Sequence, residues 1–400
     1  MKLKNSTLKK IIYVVLLWLP VIGMAQDDEP KKWELGGYVK NLQTLIFFNE
    51  AYPDLQTFQL VDTFLQDNLL HNRLNFKWYP NDKWTLYAEA RNRIFFGDLV
   101  KSTPNYGDQI DDENNDYFDL SALLINGNSW VVHTMLDRFY LEYVQGNWEV
   151  RLGRQRINWG INTVWNPNDI FNAFSFTDFD YEERPGSDAL RVRYYTGFAS
   201  SVEVVSKVFD TWDEATIAAM WRFNKWQYDF QLLGGVAENY LTLGGGWAGN
   251  IKNAGFKGEF TYFQHLENAK DDAFAASLGF DYSFSNSLYF NLGMLYNSLG
   301  SRNASVGGLF AFELSARNLY PYEWALFGQV SYPLTPLLGG SLAIIYSPVK
   351  INPLFLNPSL TYSIKENWDL DMVGQVVFNK DEEVYTSPIQ AIFLRMKFSF

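Results

Sequence analysis

Five arginines bracket a run of carboxylates near the middle of this sequence. Arg151, Arg154 and Arg156 precede it, Arg191 and Arg193 follow it, and Asp169, Asp178, Asp180, Glu182 and Glu183 lie between. These side chains offer charge rather than a nucleophile, and fixed charge in a confined space selects ions and orients dipoles. Within the stretch, Asn166-Pro167-Asn168-Asp169 reads as a helix start, with Asn as N-cap and Pro at the first helical position. Ile170, Phe171 and Phe174 would give that helix an apolar side. Connections of about thirty residues are usually functional or disordered, and the aromatic content here, Trp159 and Trp165 included, argues against disorder.

Other clusters promise less. Asp108, Asp111, Asp112, Glu113, Asp116 and Asp119 form an acidic run without the spacing or glycine of a calcium loop. With no compensating base in sight, it is expected to be a solvated surface loop that at most bridges divalent ions to lipopolysaccharide. Gly244-Gly245-Gly246 lacks the lysine and helix of a phosphate loop and reads as a strand kink. The three histidines, His71, His133 and His265, have no Gly-x-Ser-x-Gly or similar nucleophile motif beside them. No catalytic residue, metal site or cofactor is assigned, and the chain is read as a non-enzyme.

The elements that must position the charges begin after a leader. Lys2, Lys4, Lys9 and Lys10, an apolar run from Ile11 to Gly23, and a small-residue site at Gly23-Met24-Ala25 make residues 1–25 a secretory signal. The apolar run is too short and too broken by Pro20 to span a bilayer. Four lysines leave with the leader, so the formal charge moves from −12 to −16, which excludes a nucleic-acid partner. The absence of cysteine removes disulfides and thiolate metal sites. Aromatic residues make up 18% of the chain, more than a soluble fold readily buries, whereas a barrel in lipid uses such rings at both interfaces.

From Trp33 onward the pattern has period two. Leu74, Phe76 and Trp78 alternate with Arg73, Asn75 and Lys77, and Trp84, Leu86, Ala88 and Ala90 alternate with Thr85, Tyr87, Glu89 and Arg91. Eighteen such segments run from 34–47 to 388–400, sixteen if two weak ones are dropped. Their connections are short on one side, as at Gly146-Asn147 and Ser285-Asn286, and long on the other, at 48–69, 96–135, 158–188 and 298–321. That asymmetry and even count predict an all-β, transmembrane antiparallel barrel over residues 26–400. Trp84, Trp148, Trp226 and Trp368 each close a short turn and start the next strand, which suits an aromatic girdle at the inner interface.

In the last strand Ile392, Leu394, Met396, Phe398 and Phe400 alternate with Arg395, Lys397 and Ser399. This strand, closing on Phe, resembles the assembly signal of bacterial outer-membrane barrels, and the whole resembles the porins and the eighteen-stranded exporters of acidic polysaccharides. The resemblance implies a cell outer-membrane location, insertion by the barrel-assembly machinery, contact with lipid and lipopolysaccharide, and diffusion of small hydrophilic solutes. The rival expectations are a polyanion exporter or importer, a lipid-modifying enzyme, or a closed adhesion barrel. The resemblance also implies that loop 158–188, third on the long side, folds inward as a constriction.

On period two, Arg91, Arg93, Arg138, Arg151, Arg191 and Arg193 point into the lumen of strands three to six. Arginine facing lipid at mid-bilayer costs about 2 to 4 kcal/mol. Arg154 and Arg156 have the wrong parity, and a bulge at Gly153 would turn them inward. A basic wall facing an acidic loop, with a transverse field between them, is therefore expected.

Overall fold

In the computed structural model, residues 31–49, 63–112, 116–173, 180, 184–267, 270–303, 314–381 and 384–400 are described. The leader, Asp178, Glu182 and Glu183 lie outside them. The wall opens with β1 (Trp33–Phe48), β2 (Phe64–Asn81) and β3 (Trp84–Gly97). Two short helices, α1 (Asp98–Ser102) and α2 (Tyr106–Asp112), and the strand β4 (Ser121–Asn126) precede β5 (Trp130–Gln145) and β6 (Trp148–Gln155). Then come β7 (Ser187–Gly197), β8 (Ser200–Lys207), β9 (Thr216–Lys225), β10 (Tyr228–Ala237), β11 (Tyr240–Ile251) and β12 (Ala254–His265). The remainder is β13 (Ala273–Ser283), β14 (Tyr289–Asn297), β15 (Trp324–Thr335), β16 (Leu338–Tyr346), β17 (Leu354–Lys365), β18 (Trp368–Asp381) and β19 (Val384–Ser399).

Each wall strand runs antiparallel to the next, and β19 returns to β1 in a register from Tyr38↔Ser399 to Phe48↔Ile389. Gly37 and Phe400 seal the seam by exchanging main-chain hydrogen bonds of 3.0 Å. Because β3 pairs directly with β5, eighteen strands close the barrel and β4 is an addition. Closure leaves no strand edge for hydrocarbon to meet.

The added strand has a physical cause. Pairing of β5 with β6 stops at Phe139↔Arg154, because the chain leaves the wall after Gln155. That would strand the upper edge of β5, and β4 covers it from Ser121↔Met135 to Asn126↔Val131. An uncovered edge of unpaired N–H and C=O groups is costly in an apolar setting.

The two faces differ as the alternation requires. Tyr38, Lys40 and Leu42 of β1 are buried inside, while Leu35, Val39 and Phe47 are exposed outside. Trp84 packs on Tyr143, Trp148 on Tyr194 and Trp368 on Phe398, which also meets Phe400, so aromatic pairs ring the short-turn end. Trp226 departs from expectation. It occupies the turn itself at φ 55°, next to Gln227 at φ 63°, and β10 starts only at Tyr228.

Candidate functional site

Between β6 and β7 the chain turns into the barrel. Gly153 makes the departure possible by taking φ 121°, a conformation that disfavours any residue with a Cβ, and an added Cβ would run into the Phe139 carbonyl. The register stays unbroken through Tyr140↔Gly153 and Phe139↔Arg154, so the expected two-for-one bulge is replaced by one left-handed glycine. Beyond it, Ile157 and Trp159 are fully buried among Ala189, Val205, Met220 and Phe263, on the face of the wall opposite the exposed Leu190, Val204 and Tyr262. Farther along, Trp165 packs edge-on against Tyr320 and Phe327. The residues 166–169 form a turn rather than the predicted helix, with Asp169 N donating to Asn166 O at 3.0 Å.

The hydrogen bonds show how the segment is held. Glu259 of β12 accepts main-chain N–H groups from Ile161 (3.1 Å), Asn162 (2.8 Å) and Asn168 (3.1 Å). One carboxylate thus gathers three peptide groups that the departing chain has taken out of any ladder, the backbone-nest arrangement of an anion site turned to an internal use. Around it, Trp159 Nε1 donates to Glu203 at 2.8 Å, Gln231 Nε2 to Trp159 O at 2.6 Å, and Thr261 Oγ1 to Pro167 O at 2.8 Å. Asn291 Nδ2 donates to Thr163 Oγ1 at 3.0 Å. The stretch from Ile157 to Asn168 therefore lies along the inner face of β8 to β14. Sequence reasoning missed Glu259, Glu203 and Gln231. They alternate with the outward Phe260, Val204 and Leu232 as the other inward polar residues of their strands do, so nothing in the sequence set them apart.

The arginines expected to form a basic wall lie on neighbouring strands, yet each has an acidic or polar neighbour. Arg151 meets Glu142 at 2.6 Å and Glu149 at 3.1 Å. Arg191 and Arg193 share Glu203 at 2.9 and 2.5 Å, with Glu149 on their other side at 4.0 and 3.7 Å. Asp137 sits beside Arg73 (2.5 Å), Arg138 (3.5 Å) and Arg91 (3.9 Å). Arg93 Nη2 lies 3.1 Å from His133 Nδ1. Arg154 makes a two-point pair with Asp188, at 2.9 and 2.7 Å, capped by the carbonyl of Phe118. The expected basic wall is thus a ladder of alternating sign, because lumen-facing side chains on adjacent strands stand close enough to pair.

The loop acids also pair elsewhere than expected. Asp169 bonds Arg184 of its own loop at 3.2 Å, with Arg156 near enough to favour its ionised form. Burial outweighs both and pushes the Asp169 carboxyl up to about 7. Asp180 reaches Lys40 of β1 at 2.8 Å and Arg395 of β19 at 3.3 Å, away from the arginines of β3 to β7.

The acidic run of the second long loop is likewise not a free surface. Asp111 accepts from Ser121 Oγ and lies 3.2 Å from His133 Nε2, Asp108 accepts from Asn126, and Asp116 pairs with Lys207 at 2.9 Å. α1 and α2 pack Val100, Tyr106 and Ile110 on Leu69, Phe95 and Val131, inward residues of β2, β3 and β5. The glycines at 244–246 remain in a continuous β11 ladder with β12, without a kink in the register. An added Cβ at Gly244 would crowd Asn168 Oδ1 at 2.8 Å, so close passage of the loop explains that glycine.

Solved structures share this fold. Pseudomonas aeruginosa OccK9 (OpdG) superposes with a TM-score of 0.57 at 10% identity, covering 92% of this chain and 98% of that one. OpdQ of the same organism gives 0.55 at 8% identity over 92% and 97%. The outer membrane protein OpdK, also from that organism, gives 0.52 at 9% over 91% and 98%. At such identities the likeness is one of fold. No family model matches the sequence, and no curated protein matches it.

Proposed function

We propose that this chain is an outer-membrane channel for passive diffusion of small hydrophilic or charged solutes, narrowed by the loop at 158–188. Eighteen strands tilted by about 40° enclose a backbone diameter of roughly 36 Å, which side chains alone cannot fill. The observation that supports the reading is the docking of Ile157–Asn168 on the inner face through Glu259, since a segment held there would narrow that opening. Arg91, Arg93, Arg138, Arg151, Arg191 and Arg193 line the remaining wall, with Arg156 beside the loop and Arg154 anchoring its root. Because these cations stand among carboxylates, the path suits dipolar and zwitterionic solutes better than a polyanion, whose charge would meet both signs in turn.

On the same reading residues 1–25 are a cleaved export signal, 26–400 form the barrel, the barrel-assembly machinery inserts it, and the loop side faces lipopolysaccharide. No catalytic step is involved. Single-channel recording in planar bilayers tests the proposal. Stepwise currents are expected, and deletion of 166–182 should enlarge each step. Absence of steps overturns the channel, and steps of unchanged size place the loop away from the conducting path.

A further inference from the structure

A cavity of about 500 Å³ lies on the loop side of the docked segment, within the range of small-molecule sites. Ile170 and Phe171 of the inward loop, Phe263 of β12 and Ala316 of the chain ahead of β15 give it apolar faces, and Trp159 meets the Phe171 ring edge-on at 4.9 Å. Its charged side chains among the described residues are Asp116, Lys207, Glu238 and Arg317, and they cancel in two pairs, Lys207 with Asp116 at 2.9 Å and Arg317 with Glu238 at 3.2 Å. Arg317 also lies over the Tyr240 ring, 4.2 Å from its centre. A solute with formal charge would have to displace a partner already in place, so the cavity suits an uncharged one.

Polar recognition is left to two neutral residues of the wall. Asn172 is 7% exposed and Ser187 1%, and Asn172 Nδ2 donates to Ser187 Oγ at 3.3 Å. Asn172 Oδ1 has no hydrogen-bond partner, and the Ser187 hydroxyl donates to none of the described residues. Turning the amide over exchanges the parts without removing either, since Oδ1 then accepts from Ser187 while Nδ2 and a lone pair of Ser187 Oγ stay unused. In both arrangements one donor and one acceptor stand next to each other unsatisfied. Buried polar groups are rarely left so.

We infer that this cavity binds an uncharged ring solute carrying an N–H beside a C=O, the edge shared by nucleobases and cyclic dipeptides. Neighbouring N–H and C=O groups match a neighbouring acceptor and donor, and an apolar ring body matches the faces of Phe171 and Phe263. A sugar would complete the same two bonds but set its remaining hydroxyls against Ile170, Phe171, Phe263 and Ala316.

The inference rests on the channel reading for how a solute reaches the cavity, and its test reads binding without conduction. Titration calorimetry on the intact protein in detergent uses uracil and the cyclic dipeptide of glycine and leucine as separate probes. Saturable heat is expected from at least one, and the tighter of the two names the source. Methylating both ring nitrogens of the bound probe removes its donors and should weaken binding by roughly tenfold or more. Asn172→Leu, with its strand content checked by circular dichroism, should weaken the unmethylated probe by a similar factor. No saturable heat from either probe, equal affinity of the methylated form, undiminished binding in folded Asn172→Leu, or tighter binding of glucose than of both probes overturns the inference. Each of these outcomes leaves the channel reading to the current recordings.

Discussion

Two stretches of lumen wall solve the same problem in opposite ways. Outside the apolar patch of Leu69, Phe95 and Val131, the inward residues from β2 to β8 are largely charged and pair with one another across strands, as in the Glu142, Arg151, Glu149, Arg193, Glu203 series. From β8 to β15 they are mostly small or apolar, such as Val205, Ala218, Ala275 and Leu295, and the loop lies on them. Away from the apolar patch that α1 and α2 cover on β2, β3 and β5, the ions of the charged wall satisfy one another. The apolar wall needs cover, and it supplies Glu259 to hold the covering chain by its peptide groups. The difference teaches that an inward face rich in small residues, with a carboxylate left to accept peptide N–H groups, makes a docking floor, whereas carboxylates taken up by arginines make a wall of alternating charge.

Breaking the floor should have the largest effect. Glu259→Ala leaves three main-chain N–H groups without their acceptor, a loss on the order of 3 to 6 kcal/mol for charge-assisted bonds in a buried place. The docked segment should detach, and single-channel steps should grow toward those of the 166–182 deletion. Glu259→Gln, which keeps one acceptor oxygen, should fall between. Steps of wild-type size in Glu259→Ala would mean that the apolar contacts of Trp159 and Trp165 suffice without the carboxylate.

Disturbing the charged wall should leave step size nearly intact and change selectivity. Replacing Arg191 and Arg193 by Glu gathers like charge around Glu203 and Glu149, and the cation-to-anion permeability ratio should rise by roughly threefold or more. Glu203→Gln should move it the other way, since both arginines then lose their shared partner. Reversal potentials in a salt gradient read both shifts. If neither variant moves them, the ladder lies off the path of the ions.

Much of the wall was legible in the sequence because one face meets lipid and the other water, so apolar and polar residues alternate. Legibility failed where the inner face is also apolar. Phe64–Leu70 and Trp130–Leu136 extend β2 and β5 beyond the borders near 70 and 136 that period two suggests, and there Leu69 and Val131 pack against the inward-packed helices while Leu65 is buried. β4 escaped notice for the same reason, and because its role is to mend an edge opened by the departure of another segment. At the site, the position and sign of the loop charges could be read, but their partners could not. Pairing of Asp180 with Lys40 spans 140 positions, and that of Asp169 with Arg184 competes with wall arginines at equal spacing in sequence.

The smallest expected effect lies where the two regions meet, at Asp169. Its carboxyl is displaced from 3.8 to about 7, chiefly by burial, with Arg184 and Arg156 offsetting only part of the shift. A carboxyl with a raised folded-state pKa holds its proton more tightly in the folded form, so its contribution to stability falls as pH rises from about 4 to about 7 and stays low above. The docked loop should accordingly be firmer at pH 5 than at pH 8. Asp169→Asn, neutral throughout, should diminish that difference while retaining a polar partner for Arg184. Amide exchange across 157–168, corrected for the intrinsic pH dependence of the chemistry, reads the change directly. Equal protection at both values in wild type, or an undiminished difference in Asp169→Asn, would place the titrating group elsewhere and leave the loop held by Glu259 and the apolar floor alone.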